Sequence, residues 1–143
     1  MSNFSRFMKS NKAAKKNEKY APTKSLTDEN GKPLEFEFRH ISSKRVDELQ
    51  DACTIDVPVK GKPNMTKPKL NTSKYIAEMI ADSTVYPDLY NEELQNSYGV
   101  KTPVDLIYAM VDDPGEYQDL CVWIQEFQGF SKSIEDKAEE AKN

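Results

Sequence analysis

Closely spaced start and stop signals for helices divide the second half of the chain into short segments. Thr102-Pro103 and Asp113-Pro114 each place a capping side chain before a proline at the first helical position. Asn91 offers the same kind of cap, and Gly99 is placed to end the helix that follows it. A helix confined between such signals stays short. This half of the chain therefore predicts a bundle of four or five short helices.

The first half contains one segment with the alternation of a strand. Charged side chains between residues 34 and 41 alternate with apolar and aromatic ones. The residues that share one face are Leu34, Phe36, Phe38 and His40. His40 is expected to be a half-buried strand residue rather than a catalyst. Two segments, 20–26 and 57–59, are available for local pairing with this strand.

The middle of the chain predicts two helices separated by an irregular segment. The first helix is capped by Ser42 or Ser43 and ends near Cys53. Residues 55–70 carry three prolines and one glycine among lysines, which predicts a loop or an irregular hairpin. The second helix is expected from about residue 71 to Val85. The fold class predicted is α+β, mainly α-helical, with an N-terminal strand or hairpin before the helical bundle.

Charge is distributed unevenly along the chain, although the net charge is only −4. Residues 1–24 carry seven basic residues against Glu18, a net of +6, whereas residues 71–143 carry five lysines against fifteen acids, a net of −10. The mean hydropathy of −0.78 also indicates that part of the chain lies outside a core. We predict a basic N-terminal arm at 1–25, a single globular domain at 26–132 and a charged C-terminal tail at 133–143.

The basic arm has an apolar element at its start. Phe4, Phe7 and Met8 are spaced to share one face of a short amphipathic helix. Such a helix either docks on a partner or folds back on its own domain. A basic arm can also bind nucleic acid, but this arm contains a single arginine and precedes an acidic domain that repels phosphate. The sequence does not favour nucleic acid as a partner.

Several classes of protein lack support in this sequence. No apolar run approaches the roughly 20 residues of a membrane span, and no secretory signal is expected at the N-terminus. Two cysteines and one histidine provide little for a metal site. The five glycines lack the spacing of a phosphate-binding loop. We therefore expect a protein that is not an enzyme, holds no cofactor or metal and functions in a reducing cytoplasm.

Aromatic residues are concentrated in the helical half of the chain. Tyrosine and tryptophan bury a large rigid area at a small cost in conformational entropy, so they are favoured at protein interfaces. The alternative interpretation is that they enlarge a small core. The residues predicted to bind a partner are Tyr86, Tyr90, Tyr98, Tyr117, Trp123 and Phe127.

A series of short motifs gives the chain from Leu26 to Asn143 a family resemblance. The motifs are Asp28–Pro33, Phe38–Ser42, Asp51–Thr54, Val85–Leu89, Leu94–Val100 and Pro114–Tyr117. In their order and spacing the sequence resembles the XkdN-like tail assembly chaperones of contractile-tailed phages and phage-like elements. The lysine-rich residues 9–24 fit that pattern less well, so nothing is carried over to them.

The resemblance implies a non-catalytic binding protein. Chaperones of this type are thought to cover the long, aggregation-prone tape measure protein before the tail tube polymerises, and to be absent from the finished tail. The protein is then expected in the host cytoplasm, with the tape measure protein as partner and the tail tube protein and a second copy of itself as further partners. The alternative function is a structural component of the tail or baseplate in the virion.

The resemblance also implies a longer second product. Genes of tail chaperones often slip reading frame near their end, and the codons of Ala141–Asn143 can contain the slippery heptamer A-AAA-AAC. A frameshifted, longer form of the chain is therefore expected as an additional partner.

Overall fold

In a computed structural model, which describes residues 3–130, a small sheet and a separate hairpin are combined with five helices. The helices are α1 (Ser43–Ala52), α2 (Thr72–Ser83), α3 (Glu92–Tyr98), α4 (Pro103–Met110) and α5 (Pro114–Phe127). The strands are β1 (Glu18–Tyr20), β2 (Phe36–Phe38), β3 (Thr54–Val59), β4 (Lys62–Leu70) and β5 (Thr84–Tyr86). The predicted α+β class is confirmed. The tail predicted at 133–143 lies outside the described residues.

Capping side chains start the helices where the sequence indicates. The side chains of Ser42, Asn71, Asn91, Thr102 and Asp113 each accept a hydrogen bond from the backbone N–H three residues later. Gly99 ends α3 in the left-handed conformation, with φ of 68°. Local chemistry therefore sets where each of these helices begins.

The three-stranded sheet has the order β1–β2–β5, with both pairs antiparallel. The alternation over residues 34–41 correctly predicts the central strand, but only Phe36–Phe38 pair, and Leu34, which the alternation places on the same face, is exposed. Its partner β1 overlaps the predicted pairing segment only at Tyr20. The second partner, β5, differs from the expected continuation of a helix to Val85. Helix α2 ends at Ser83, and the next three residues pair with β2 because its second edge is otherwise free.

The N-terminal segment is more closely integrated than a separate arm. Besides β1, it contains Thr23, whose side chain is 1% exposed and whose Oγ1 donates to Glu116 Oε1 at 2.8 Å. The Lys24 N–H donates to Glu116 Oε2, also at 2.8 Å. Residues 18–25 therefore pack on α5 as part of the domain. Further out, the chain forms two 3-10 turns, Ser5–Phe7 and Lys9–Asn11, in place of the expected amphipathic α-helix.

Strands β3 and β4 form a hairpin that projects from the junction of α1 and α2. The Asn71 N–H donates to the Cys53 carbonyl at 2.8 Å and closes its base. Pairing continues through Val57 and Lys67, and a register irregularity follows Pro58. The segment predicted as a loop or an irregular hairpin is thus a hairpin, and most of its side chains are exposed.

The core lies between α2, α4, α5 and the inner face of the sheet. Its fully buried side chains include Phe38, Tyr75, Met79, Ile80, Leu106, Ile107, Leu120 and Ile124. Burying side chains of this size contributes about 1.5–3 kcal/mol each. The apolar stripes of the short helices supply most of this core.

Gln128, just after α5, joins three elements through its amide group. Its Nε2 donates to the Arg39 carbonyl at 2.9 Å and to Ser83 Oγ at 2.8 Å, while its Oε1 accepts from the Ile41 N–H at 3.1 Å. Ser83 is fully buried at the end of α2. One side chain therefore links the end of β2, the end of α2 and the end of α5.

We predict that Gln128→Ala lowers the free energy of unfolding by about 1–3 kcal/mol, because it leaves buried polar groups without partners. Gln118→Ala, on the exposed side of α5, removes the same amide group and should change stability by less than about 0.5 kcal/mol. Chemical denaturation followed by circular dichroism measures both. Equal stability of the two variants would contradict a linking role for Gln128.

Candidate functional site

The structure separates the six predicted partner-binding residues into two groups. Trp123 and Phe127 belong to a row of stacked rings along α5. The Tyr20 and Trp123 centroids are 4.6 Å apart, those of Trp123 and Phe127 are 5.0 Å apart, and those of Phe127 and His40 are 4.0 Å apart. Phe38 packs against Trp123 from the core side at 5.0 Å. These rings join β1, β2 and α5.

Tyr117 belongs with the packed residues. Its ring lies 4.8 Å from that of Tyr108, which joins α5 to α4. Its hydroxyl is buried, and burial raises the pKa of Tyr117 well above its ordinary value, with the neighbouring Tyr108 hydroxyl adding to the effect. The ring therefore holds the start of α5 against α4.

The other three residues face solvent beyond the end of α2. Tyr86 is 66% exposed and Tyr90 is 79% exposed, while Tyr98 at the end of α3 is 36% exposed. Val85, between α2 and Tyr86, is also exposed. We call the group formed by Val85, Tyr86 and Tyr90 the tyrosine patch. It is an apolar surface on β5, an edge strand, and on the loop that follows.

The tyrosine patch has an acidic border. Asp88 lies between its two tyrosines, and Glu92 and Glu93 begin α3 directly after it. From residue 84 to residue 98 there is no lysine or arginine, so this segment has a net charge of −3. A partner that suits the patch presents apolar side chains together with positive charge.

Two residues with side chains of a potentially reactive type, His40 and Cys53, take part in packing. The ring of His40 is stacked on Phe127, as described above. Burial raises the pKa of the Cys53 thiol, which is 1% exposed. The Cys53 thiol is therefore shielded from solvent, whereas His40 is half-buried at the end of the row of rings.

An open cleft lies between residues 20–25 and the start of α5. It has a volume of about 700 Å³ and is lined by Tyr20, Lys24, Asp113, Glu116 and Asp119, among others. Both carboxylate oxygens of Glu116 already accept hydrogen bonds, one from Thr23 Oγ1 and one from the Lys24 N–H.

Within residues 3–130, no cluster of three or more histidine, cysteine or acidic side chains could hold a metal ion. No helix in the same range is long and apolar enough to cross a membrane.

Sequence reasoning missed the exposure of the β3–β4 hairpin. Ile55 and Met65 are each more than half exposed there. The alternation of Ile55, Val57 and Val59 in the sequence is typical of a strand with one apolar face. The prolines and the glycine in the same segment favour a loop, so this face is not evident from the sequence.

Comparisons with known proteins agree on one family. The sequence profile of the phage XkdN-like tail assembly chaperone proteins matches residues 4–142. The phage-like element PBSX protein XkdN of Bacillus subtilis (strain 168) is 31% identical over 121 residues, covering 85% of this chain and 80% of the relative. The uncharacterized protein YqbN of the same organism matches with the same identity and coverage.

A solved structure has a similar fold. The crystal structure of YqbN superposes with a TM-score of 0.74 at 24% identity, over 92% of this chain and 99% of that one. At that level of identity the likeness supports the fold and nothing about the site.

We predict that Trp123→Ala lowers the free energy of unfolding by about 3 kcal/mol, because the ring contacts three others. Tyr90→Ala should change it by less than about 0.5 kcal/mol, since that side chain is mostly exposed. Urea denaturation of both variants provides the measurement. A small effect of Trp123→Ala would contradict a packing role for that ring.

The buried Tyr117 hydroxyl predicts a pH dependence. Because the pKa is raised in the folded state, the unfolded chain loses this proton first as pH rises above 10, and stability falls. We expect the free energy of unfolding of Tyr117→Phe to fall less steeply above pH 10, by at most about 1.4 kcal/mol per pH unit. Parallel slopes for wild type and variant in urea denaturation at pH 9–11 would contradict this expectation.

Proposed function

Because this chain belongs to the phage XkdN-like tail assembly chaperone family, we propose that it binds the tape measure protein and keeps it soluble before the tail tube polymerises. The chaperone acts by covering apolar surface and carries out no chemical reaction. It works in the cytoplasm of the bacterial host and does not remain in the mature virion.

The observation that carries this proposal is the tyrosine patch. Tyr86, on the edge strand β5, is 66% exposed, and Tyr90, four residues later in the loop that follows, is 79% exposed. Isolated apolar side chains on a surface are ordinary, but two exposed tyrosines close together in the chain and flanked by acidic residues are typical of an interaction site.

The charge of the domain suits the task. A tape measure protein is a long helical chain whose apolar stripes cause aggregation when they are uncovered. The chaperone covers the stripe with its tyrosines and leaves the acidic side chains outside the patch border facing solvent. Like-charged complexes then repel one another and remain dispersed.

The family resemblance also suggests partners other than the tape measure protein, and the tyrosine patch is not proposed as their binding site. We include the tail tube protein and a frameshifted longer form of this chain among the proposed partners. The turns that carry Phe4, Phe7 and Met8, which are all more than half exposed, form a second apolar element that such partners could use.

Co-expression with the tape measure protein of the same phage tests the proposal. Wild-type chain should move the tape measure protein into the soluble fraction and co-purify with it. Tyr86→Ser/Tyr90→Ser should reduce the co-purified amount at least about tenfold, since aromatic anchors supply much of the energy of an interface. Its melting temperature should remain close to that of the wild type, because both side chains are mostly exposed.

Phe7→Ser is a suitable control, because Phe7 is an aromatic side chain with 84% exposure at a distant site. Loss of capture in this control alone would transfer the binding surface to the N-terminal turns. Failure of the wild-type chain to capture the tape measure protein would contradict the proposed function. Its presence in purified particles by mass spectrometry would favour a structural component of the tail or baseplate.

A further inference from the structure

The β3–β4 hairpin presents one face that is both aliphatic and basic. In an antiparallel ribbon, residues that lie directly opposite each other project from the same face. Ile55 lies opposite Lys69 and Val57 lies opposite Lys67. One strand thus lines this face with aliphatic side chains and the other lines it with lysines. The whole segment 54–70 has four lysines against Asp56, a net charge of +3.

The free edges of the hairpin are unsuited to pairing with another strand. Pro58 on β3 and Pro68 on β4 lie opposite Thr66 and Asp56. Because proline has no N–H, it fits those ladder positions whose amide groups point away from the partner strand. Each free edge therefore lacks a backbone N–H at a position where an added strand would accept a hydrogen bond from it. A partner is therefore expected to bind the face of the hairpin instead of its edges.

The tyrosine patch has the complementary chemistry. It offers aromatic surface bordered by Asp88, Glu92 and Glu93, with a net charge of −3 over residues 84–98, against +3 on the hairpin. Opposite charges of equal size on two apolar surfaces favour contact between them and set its orientation.

Within one copy the two surfaces do not cover each other. The hairpin begins beside the N-terminal end of α2, where Asn71 bonds to Cys53, and the tyrosine patch begins after its C-terminal end at Ser83. A helix of 12 residues separates them by about 18 Å. Ile55 on the hairpin and Tyr86 on the patch are each more than half exposed.

We propose that the hairpin face of one copy docks on the tyrosine patch of a second copy, head to tail. The lysines of β4 lie against the acids of the patch border, and the aliphatic side chains of β3 lie against the tyrosines. This inference deepens the proposed function, because it gives the patch an occupant when no tape measure protein is bound. A contact between two different surfaces leaves a free hairpin and a free patch, so it can be repeated.

Sedimentation equilibrium of the chain alone, without a tape measure protein, tests the contact. The wild type should associate reversibly, and association should weaken as sodium chloride is raised, because the charges are exposed and screened. Lys67→Glu/Lys69→Glu should raise the dissociation constant at least about tenfold. Lys12→Glu/Lys15→Glu makes the same change of charge on exposed lysines outside the hairpin and should leave it unchanged.

A mixing experiment tests the head-to-tail arrangement. Tyr86→Ser/Tyr90→Ser removes the patch, so this variant and the hairpin variant should each be monomeric alone. When mixed they should form a one-to-one complex, since one retains the hairpin and the other retains the patch. Circular dichroism confirms that both variants are folded.

Three outcomes would overturn the proposal. They are a wild type that stays monomeric at all concentrations and salt levels, an association that Lys67→Glu/Lys69→Glu leaves intact, and a mixture of the two variants that does not associate. Co-purification of the tape measure protein by the hairpin variant is measured separately. That capture should persist, so a failure of the self-contact is distinguishable from a failure of the proposed function.

Discussion

Four stacked rings hold the ends of this small domain together. Tyr20 comes from the N-terminal strand, Trp123 and Phe127 from the last helix, and His40 from the end of the central strand. The sheet contributes only three residues from each strand, which is too little for independent stability. Its strands persist because the rings dock it on α5 and Phe38 continues that contact into the core. Strand β5, which begins the proposed binding surface, is the outer strand of this sheet.

Much of the fold could be predicted from local signals, and the rest depends on contacts between distant segments. Caps such as Asn91 and Thr102 determine helix starts within a few residues, so the sequence is sufficient to locate them. Strand β5 is different: its residues continue a helical pattern, and only the free edge of β2 makes them a strand. The same holds for Thr23, whose burial depends on Glu116, 93 residues later.

The candidate site shows the same division. Composition could identify the aromatic residues of the helical half as important, but it could not show which of them are packed in the domain and which are exposed. Trp123 is packed because Tyr20 reaches it from the other end of the chain, while Tyr90 is exposed although Leu89, its neighbour in the same loop, is buried. Exposure is a property of the assembled fold. Six similar residues therefore separate into three that hold the domain together and three that remain available to a partner.

The position of Trp123 gives the protein an internal optical reporter. It is the single tryptophan of the chain, and one face of its indole is covered by Tyr20 while Phe127 stacks beside it. Release of β1 from α5 would expose the indole to water and leave its contact with Phe127 in place. Its emission would then shift to longer wavelength before the helices unfold. Docking of the N-terminal strand is thus observable in the unlabelled protein, separately from global unfolding.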